Sequence, residues 1–159
     1  MAGHEKSGPA FASAWMFRGA RWLLTPTSHT GSDCLATIES LIAAMGAVPV
    51  RVDAQTHDRQ VAILSHVPHA LAAVLVVLGE ELPRTDLAGG SWKDLTRVGG
   101  VDPDLWSQIL IGNRSEIANV LGAAVKHLES LRASLLANNL DEVRAILTRA
   151  RKAKKKQET

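Results

Sequence analysis

Cysteine is nearly absent from this chain of 159 residues, which carries one, Cys34. A single cysteine excludes an internal disulfide and a metal centre built from several thiolates. A lone cysteine is more often a small packed residue than a nucleophile, so we assign Cys34 no catalytic role. The chemistry of this protein must rest on other side chains.

Long apolar runs are also missing from the sequence. The longest, ALAAVLVVL at 70–78, is far shorter than the roughly 18 residues of a membrane span, and a charge follows at Glu80. The N-terminus MAGHEKSGPAF has no apolar stretch after its positive charge, as a secretory signal would require. With 46% hydrophobic residues, the chain is typical of one globular domain. We predict a cytoplasmic protein that does not enter a membrane.

A broad basic surface is lacking too, although the net charge is +2. The last eleven residues, 149–159, hold six Lys and Arg against one acidic residue, a net of +5 that leaves −3 for the rest. A terminal lysine cluster without aromatic residues is more typical of a solvated helix end than of a nucleic-acid site. We therefore predict no nucleic-acid partner.

The N-terminal third predicts two short strands around one helix. Trp22–Thr25 is a strand that Pro26 ends, and Val48–Val52 alternates with the period of a strand. Between them, apolar residues recur at helical spacing from a cap at Ser32 or Asp33 to a stop at Gly46. Two strands indicate the edge of a larger sheet.

Beyond Asp53 the pattern is helical to the end of the chain. HALAAVLVVLGEEL is apolar on nearly all sides, so we expect a central helix there. Ser91–Val98 predicts a short helix between glycine pairs, and Pro103 is expected in the first turn of the next helix, after Asp102. Two more helices follow. Their apolar surface exceeds what one small bundle buries, which favours a helix-mediated dimer.

Polar side chains embedded in these helices are the candidates for chemistry. His57 and Asp58 are most simply explained as part of the solvent-exposed face of a helix, whereas His69 begins the most apolar helix. A satisfied buried histidine remains the simpler interpretation of His69. Arg97 lies one turn after Asp94, so it either pairs with that residue or offers its planar fork to a carboxylate ligand, beside glycines that we expect to be flexible. The sequence leaves both alternatives open.

Metal, dinucleotide and hydrolase chemistry lack a local signature. His66 and His69 are three residues apart, but Pro68 lies between them and is expected to break the helical register that a pair of ligands needs. No GxGxxG, P-loop or GxSxG motif occurs in the chain. We therefore predict no metal.

A series of short motifs carries a family resemblance. In chain order these are MAGHEKSG, FRGARWLLTPT, DAQTHD, SHVPH, GGSWKDLTRV and DPDLW, from Met1 to Trp106. Each is weak alone, but the order resembles that of prephenate dehydrogenases. Such enzymes oxidise and decarboxylate prephenate to 4-hydroxyphenylpyruvate, or act on arogenate, with NAD or NADP as cofactor, in tyrosine biosynthesis.

The resemblance implies a set of substrate-binding residues. Arg97 would pair with a substrate carboxylate, Asp94 would orient it, and His69 would contact the substrate side chain or tyrosine acting as an inhibitor. Four more residues belong to the implied set. Gly90 and Trp106 would shape the pocket, Glu5 would act as a gate, and His57 lies on the DAQTHD helix.

The resemblance also implies that part of the enzyme lies outside these residues. In the family, the catalytic histidine stands in a His-Pro pair immediately before the Met-Ala-Gly at which this chain begins, and a Rossmann domain binds the nucleotide. We therefore expect no catalytic residue, no cofactor site and no turnover within these 159 residues alone. The alternative is a stand-alone, non-catalytic helical dimer that binds an aromatic-pathway ligand or serves a structural role.

The predicted fold is mainly α. We expect a helical dimerisation domain, like the C-terminal domain of 6-phosphogluconate dehydrogenase, preceded by a short two-strand remnant of a Rossmann sheet. The expected limits are 1–52 for the end of the nucleotide-binding domain, 53–150 for the substrate-binding and homodimer-forming domain, and 151–159 for a basic tail.

Overall fold

The computed structural model describes residues 8–84 and 86–157. Its chain forms two compact units, Met1–Val61 and Ala62–Thr159. The architecture is mainly α with a small parallel sheet, as the sequence predicts.

The first unit contains a strand–helix–strand element. Strand β1, Arg21–Leu24, runs parallel to β2, Val48–Arg51, with Arg21 opposite Val48. Helix α1, Ser32–Ala44, connects them and buries Ile42. Both predicted strands are confirmed to within a residue at their ends. The parallel pairing is what a helical connection between two strands produces.

The two ends of α1 test the predicted helix signals. Gly46 follows the helix with φ 77° and donates its N–H to the carbonyl of Ala43, so the predicted stop is confirmed. The predicted cap is wrong. Gly31 occupies the capping position, with extended backbone and no side-chain bond, because the helix already begins at Ser32.

One bidentate ion pair fixes α1 on β2. Arg51 donates from Nε to Oε1 of Glu39 at 2.5 Å and from Nη2 to Oε2 at 2.7 Å. These hydrogen bonds lower the pKa of the Glu39 carboxyl and raise the pKa of the Arg51 guanidinium. A planar fork facing a carboxylate is the geometry in which such a pair is strongest.

Helices account for the rest of the described chain. The first unit ends with α2, Ala54–Val61. In the second unit a π-helical turn, Ala62–His66, precedes the five helices α3, Val67–Gly79; α4, Gly90–Thr96; α5, Pro103–Gly112; α6, Arg114–Leu136; and α7, Leu140–Gln157. The predicted start of α5 is confirmed: Asp102 caps it by accepting the N–H of Leu105 at 2.9 Å, and Pro103 occupies its first turn.

The core of the second unit lies where the π-helical turn and the start of α3 pack against α6. Ala62, Val67 and Ile117 are almost completely buried. The partly buried residues around them are Leu110, Val120 and Leu121. This core holds the N-terminal end of α3, the end that carries His69, in a defined position.

Helix α3 is not central within the single chain. Its buried residues are Val67, Ala72 and Gly79, whereas Leu71, Val74 and Leu78 are exposed. The expectation of a helix buried on all sides is therefore wrong for one copy of the chain. The reason is geometric: in the described part, the neighbours that α3 contacts most, the π-helical turn, α4 and α6, leave one stripe of the helix open.

Helical residues follow one another without a break from Ala54 to Gly79. By length and composition this run could cross a membrane, and 22% of its most apolar 18-residue window is buried within the single chain. Core helices of soluble proteins pass the same test. The predicted absence of a membrane span counted only uninterrupted apolar residues, and it stays a prediction.

Candidate functional site

Two histidines of the second unit face one tryptophan. The ring of His69 on α3 stacks on Trp106 of α5, with centroids 3.9 Å apart and planes inclined by 23°. His66 meets the same indole nearly at a right angle, with centroids 6.4 Å apart. All three side chains are half-buried. The result is an aromatic surface with two polar ring systems at the N-terminal end of α3.

The helical register changes between these two histidines, next to Pro68: the π-helical turn ends at His66 and α3 begins at Val67. Both rings nevertheless reach the same indole. Within residues 8–84 and 86–157, no group of three or more His, Cys, Asp or Glu side chains could hold a metal ion.

Backbone contact fixes the protonation pattern of His69. Its Nδ1 lies 2.8 Å from the carbonyl oxygen of Ser65. A carbonyl only accepts, so Nδ1 carries the proton and donates it. In neutral His69 the lone pair is therefore on Nε2. That atom can accept a hydrogen bond from a ligand hydroxyl or ammonium group.

A second contact connects His66 to the junction of α5 and α6. The amide Nδ2 of Asn113 lies 3.3 Å from Nδ1 of His66, across 47 residues of sequence. Both residues are half-buried. The site is thereby joined to the residue that ends one helix and precedes the next.

Two glycines determine how α4 lies on α3. A Cβ on Gly79 would be 2.6 Å from the Trp92 ring, and one on Gly99 would be 2.8 Å from the carbonyl oxygen of Ala72. Helix α4 is therefore antiparallel to α3, and its C-terminal end lies toward the N-terminal end of α3. Arg97, the residue that ends α4, lies at this end of the helix, two residues before Gly99, whose backbone approaches Ala72.

The glycine contacts change one sequence interpretation. Gly99 was expected to give the region of Arg97 flexibility. In the structure Gly99 allows close packing of two backbone segments, which only a residue without a side chain permits. Gly100, beside it, has open space around the position of a Cβ.

The remaining candidates differ in position. Asp94 and Gly90 lie on α4 and are exposed, and Gly90 is its first residue. His57 is on α2, in the first unit, where its Nδ1 lies 2.9 Å from Oδ1 of Asp58. Glu5 falls outside the described residues.

Sequence reasoning missed the packing residues of this site. Trp92, Gly79 and Gly99 place Arg97, yet none of them stood among the candidates. His66 was considered only as a possible metal ligand, and Asn113 was not among the candidates. The available signal was the pair of adjacent glycines at 99 and 100, which indicates a close approach as readily as flexibility.

The described residues do not fit a dinucleotide. Helix α1 follows β1 through the segment TPTSHTG at 25–31, which contains one glycine, Gly31. A pyrophosphate requires a glycine-rich turn that brings backbone N–H groups and a helix N-terminus to the ligand. Residues 8–84 and 86–157 form no such turn.

Sequence comparison identifies both parts of the chain. The model of the prephenate dehydrogenase dimerization domain matches residues 53–149, and the model of the nucleotide-binding domain of the same enzymes matches residues 1–51. The chain belongs to the prephenate dehydrogenase family. The family resemblance of the motif series is thus confirmed.

Curated prephenate dehydrogenase relatives match most of this chain but only part of their own length. A cyclohexadienyl dehydrogenase of Zymomonas mobilis is 32% identical over 147 residues, which are 89% of this chain and 50% of that protein. A probable prephenate dehydrogenase of Streptomyces niveus is 34% identical over 134 residues, 82% of this chain and 37% of that protein. The chain thus spans half or less of these relatives.

Solved structures of the family have the same fold. The prephenate dehydrogenase of Aquifex aeolicus, crystallised with hydroxyphenyl propionate and NAD⁺, covers the whole of this chain with a TM-score of 0.88 at 26% identity, while this chain covers 57% of it. The arogenate dehydrogenase of Synechocystis gives a TM-score of 0.76 at 26% identity, with 89% of this chain and 54% of that chain covered. The family uses NAD or NADP.

Proposed function

We propose that this chain supplies the substrate-binding and dimer-forming part of a dehydrogenase that acts on prephenate or arogenate. The observation that carries the proposal is the stack of His69 on Trp106; the C-terminal end of α4, the end with Arg97, packs on the same helix α3 at Ala72. This arrangement offers an aromatic wall, a hydrogen-bond acceptor and a cation to one ligand. A ring-bearing carboxylate has the complementary groups, and the Aquifex relative was crystallised with such an acid.

Each side chain has a separate task in this proposal. The guanidinium of Arg97 binds a substrate carboxylate through two parallel N–H groups, a geometry that lysine does not provide. Asp94, one turn earlier on α4, orients the guanidinium. Nε2 of His69 contacts the polar end of the substrate side chain or of tyrosine, while Trp106 forms a wall. Gly90 begins α4 at the end that packs near Gly79, away from His69, so it belongs to the set by family resemblance alone. Glu5 and His57 belong to the set by family resemblance.

The reaction of the whole enzyme would be an oxidative decarboxylation. The substrate loses carbon dioxide and a hydride, the hydride passes to a nicotinamide, and an aromatic ring forms. The described residues form no dinucleotide turn, so we propose that a polypeptide of these 159 residues binds the substrate but does not turn it over. We further propose that the limits at 52 and 150 divide the nucleotide-binding part, the helical part and the basic tail.

The homodimer is proposed from the exposed stripe of α3. Leu71, Val74 and Leu78 recur at helical spacing, and the last two are 55% and 58% exposed in the single chain. An apolar stripe of this kind is covered in a stable protein, and a second copy covers it symmetrically. The match of this region to a dimerization domain supports that occupant.

Calorimetric titration of the purified chain with prephenate, 4-hydroxyphenylpyruvate and tyrosine tests the binding proposal. We expect saturable binding that Arg97→Ala weakens about 30-fold, as the loss of a charge-assisted contact of about 2 kcal/mol requires. Arg97→Lys keeps the charge and should restore only part of the affinity. Arg132→Ala, an equal change at an exposed position of α6, is the control.

The outcomes of this titration separate the two functions considered. Equal weakening by Arg97→Ala and Arg132→Ala would show that the effect is only one of net charge, and the site would be wrong. Absence of binding by all three ligands would favour the stand-alone structural dimer.

A further inference from the structure

The side chain of Asn113 contacts a histidine and does not cap the helix that it precedes. Asn113 is the residue before α6, a position where Asn normally accepts an N–H from the first turn of the helix. The Asn113 side chain makes no such capping bond. Its amide instead lies 3.3 Å from Nδ1 of His66.

The direction of this hydrogen bond fixes the proton of His66. The Nδ2 group of an amide can only donate, so Nδ1 of His66 accepts and its proton is on Nε2. His69 has the reverse pattern, because its Nδ1 donates to the carbonyl of Ser65 at 2.8 Å. Two imidazoles less than one helical turn apart are thus held in opposite tautomers by two different partners.

His66 in turn contacts the indole that forms the wall of the site. The plane of the His66 ring is inclined by 86° to that of Trp106, and the ring centroids are 6.4 Å apart. The same indole also stacks on the ring of His69. Edge-to-face packing depends on ring orientation, since the positive edge of one ring meets the negative face of another. A rotated His66 would release Trp106 from this arrangement.

We propose that Asn113 is a positioning residue of the ligand site: its amide holds His66 as the Nε2–H tautomer, and His66 keeps Trp106 stacked on His69. The consequence for ligand binding rests on the function proposed above, whereas the tautomers do not. Asn113 acts through His66 and Trp106 without contacting the ligand.

Long-range ¹H–¹⁵N NMR of the histidine rings tests the tautomers in the full chain. At about pH 8 we expect the His66 proton on Nε2 and the His69 proton on Nδ1. Asn113→Asp preserves the shape and the capping ability of the side chain but can only accept. In that variant the proton of His66 should appear on Nδ1. Asn119→Asp, an equal change at an exposed position of α6, is the control and should leave both rings as they are.

Ligand titration of the same variants tests the consequence. Asn113→Asp should weaken binding about 2- to 10-fold, the range of one neutral hydrogen bond, while Asn119→Asp should not. A wild-type His66 that carries its proton on Nδ1 would overturn the proposal without any variant. A changed tautomer with unchanged affinity would overturn the positioning role. If the wild-type chain binds none of the ligands, the proposed function fails and the tautomer result stands.

Discussion

Substitution of Gly99 by alanine is the sharpest structural test of the site. The added methyl carbon would lie 2.8 Å from the carbonyl oxygen of Ala72 and 2.8 Å from Cγ2 of Val76. The Val76 methyl can turn aside, but the Ala72 oxygen is part of the backbone of α3. Helix α4 must therefore move away from α3, and Arg97 moves with it.

The expected cost follows from that displacement. Overpacking of one methyl group in a close contact costs about 1–3 kcal/mol. Gly99 lies in the turn after α4, so no gain in helix propensity offsets the cost. For a chain of this size the melting temperature should fall by about 2–12 °C.

Unfolding in urea at one fixed protein concentration measures this effect. The concentration must be held constant because a dimer makes apparent stability depend on it. Gly100→Ala is the control, since nothing lies within 4 Å of a Cβ there. We expect that variant to be as stable as the wild type or about 0.4–1 kcal/mol more stable. Equal stability of the two variants would refute the close contact of α4 with α3.

Three further predictions concern separate parts of the chain. Asp102→Ala should lower the free energy of unfolding by about 1 kcal/mol, because it removes the cap that accepts the Leu105 N–H, and Asp102→Asn should restore most of it in the same urea assay. The lowered pKa of Glu39 means that its ion pair stabilises the fold above the unfolded-state pKa, and that this contribution is lost as the pH falls through the folded-state pKa. Glu39→Gln should therefore flatten the acid limb of a stability–pH curve, and an unchanged limb would contradict the pairing. Val77→Asp, on the exposed side of α3 where Val77 is 60% exposed, should convert a dimer into a monomer in analytical ultracentrifugation, whereas a wild-type chain that sediments as a monomer at micromolar concentration would rule out the proposed interface.

Local signals predicted most elements of the fold. The period of apolar residues gave α1 and the helices after Asp53, and Asp102 with Pro103 gave the start of α5 to the residue. Such features depend on contacts within four or five residues, which a sequence displays directly. The cap of α1 failed because Gly31, Ser32 and Asp33 are all plausible caps, and only the backbone conformation distinguishes them.

The helical class, the strand–helix–strand element and, through the order of the short motifs, the family could all be predicted from the amino-acid sequence alone. The family resemblance also predicted His69, Trp106 and Arg97 as members of one site, which stays a prediction. Two contacts appear only in the folded chain: the stack of His69 on Trp106 joins residues 37 apart, and the contact of Gly99 with Ala72 sets the end of α4. These contacts depend on how helices pack, and packing is fixed by the shapes of many side chains at once. The pair of glycines at 99 and 100 would also be compatible with a hinge. In the structure, a Cβ added at Gly99 would lie 2.8 Å from a backbone carbonyl oxygen, so this glycine serves close packing instead.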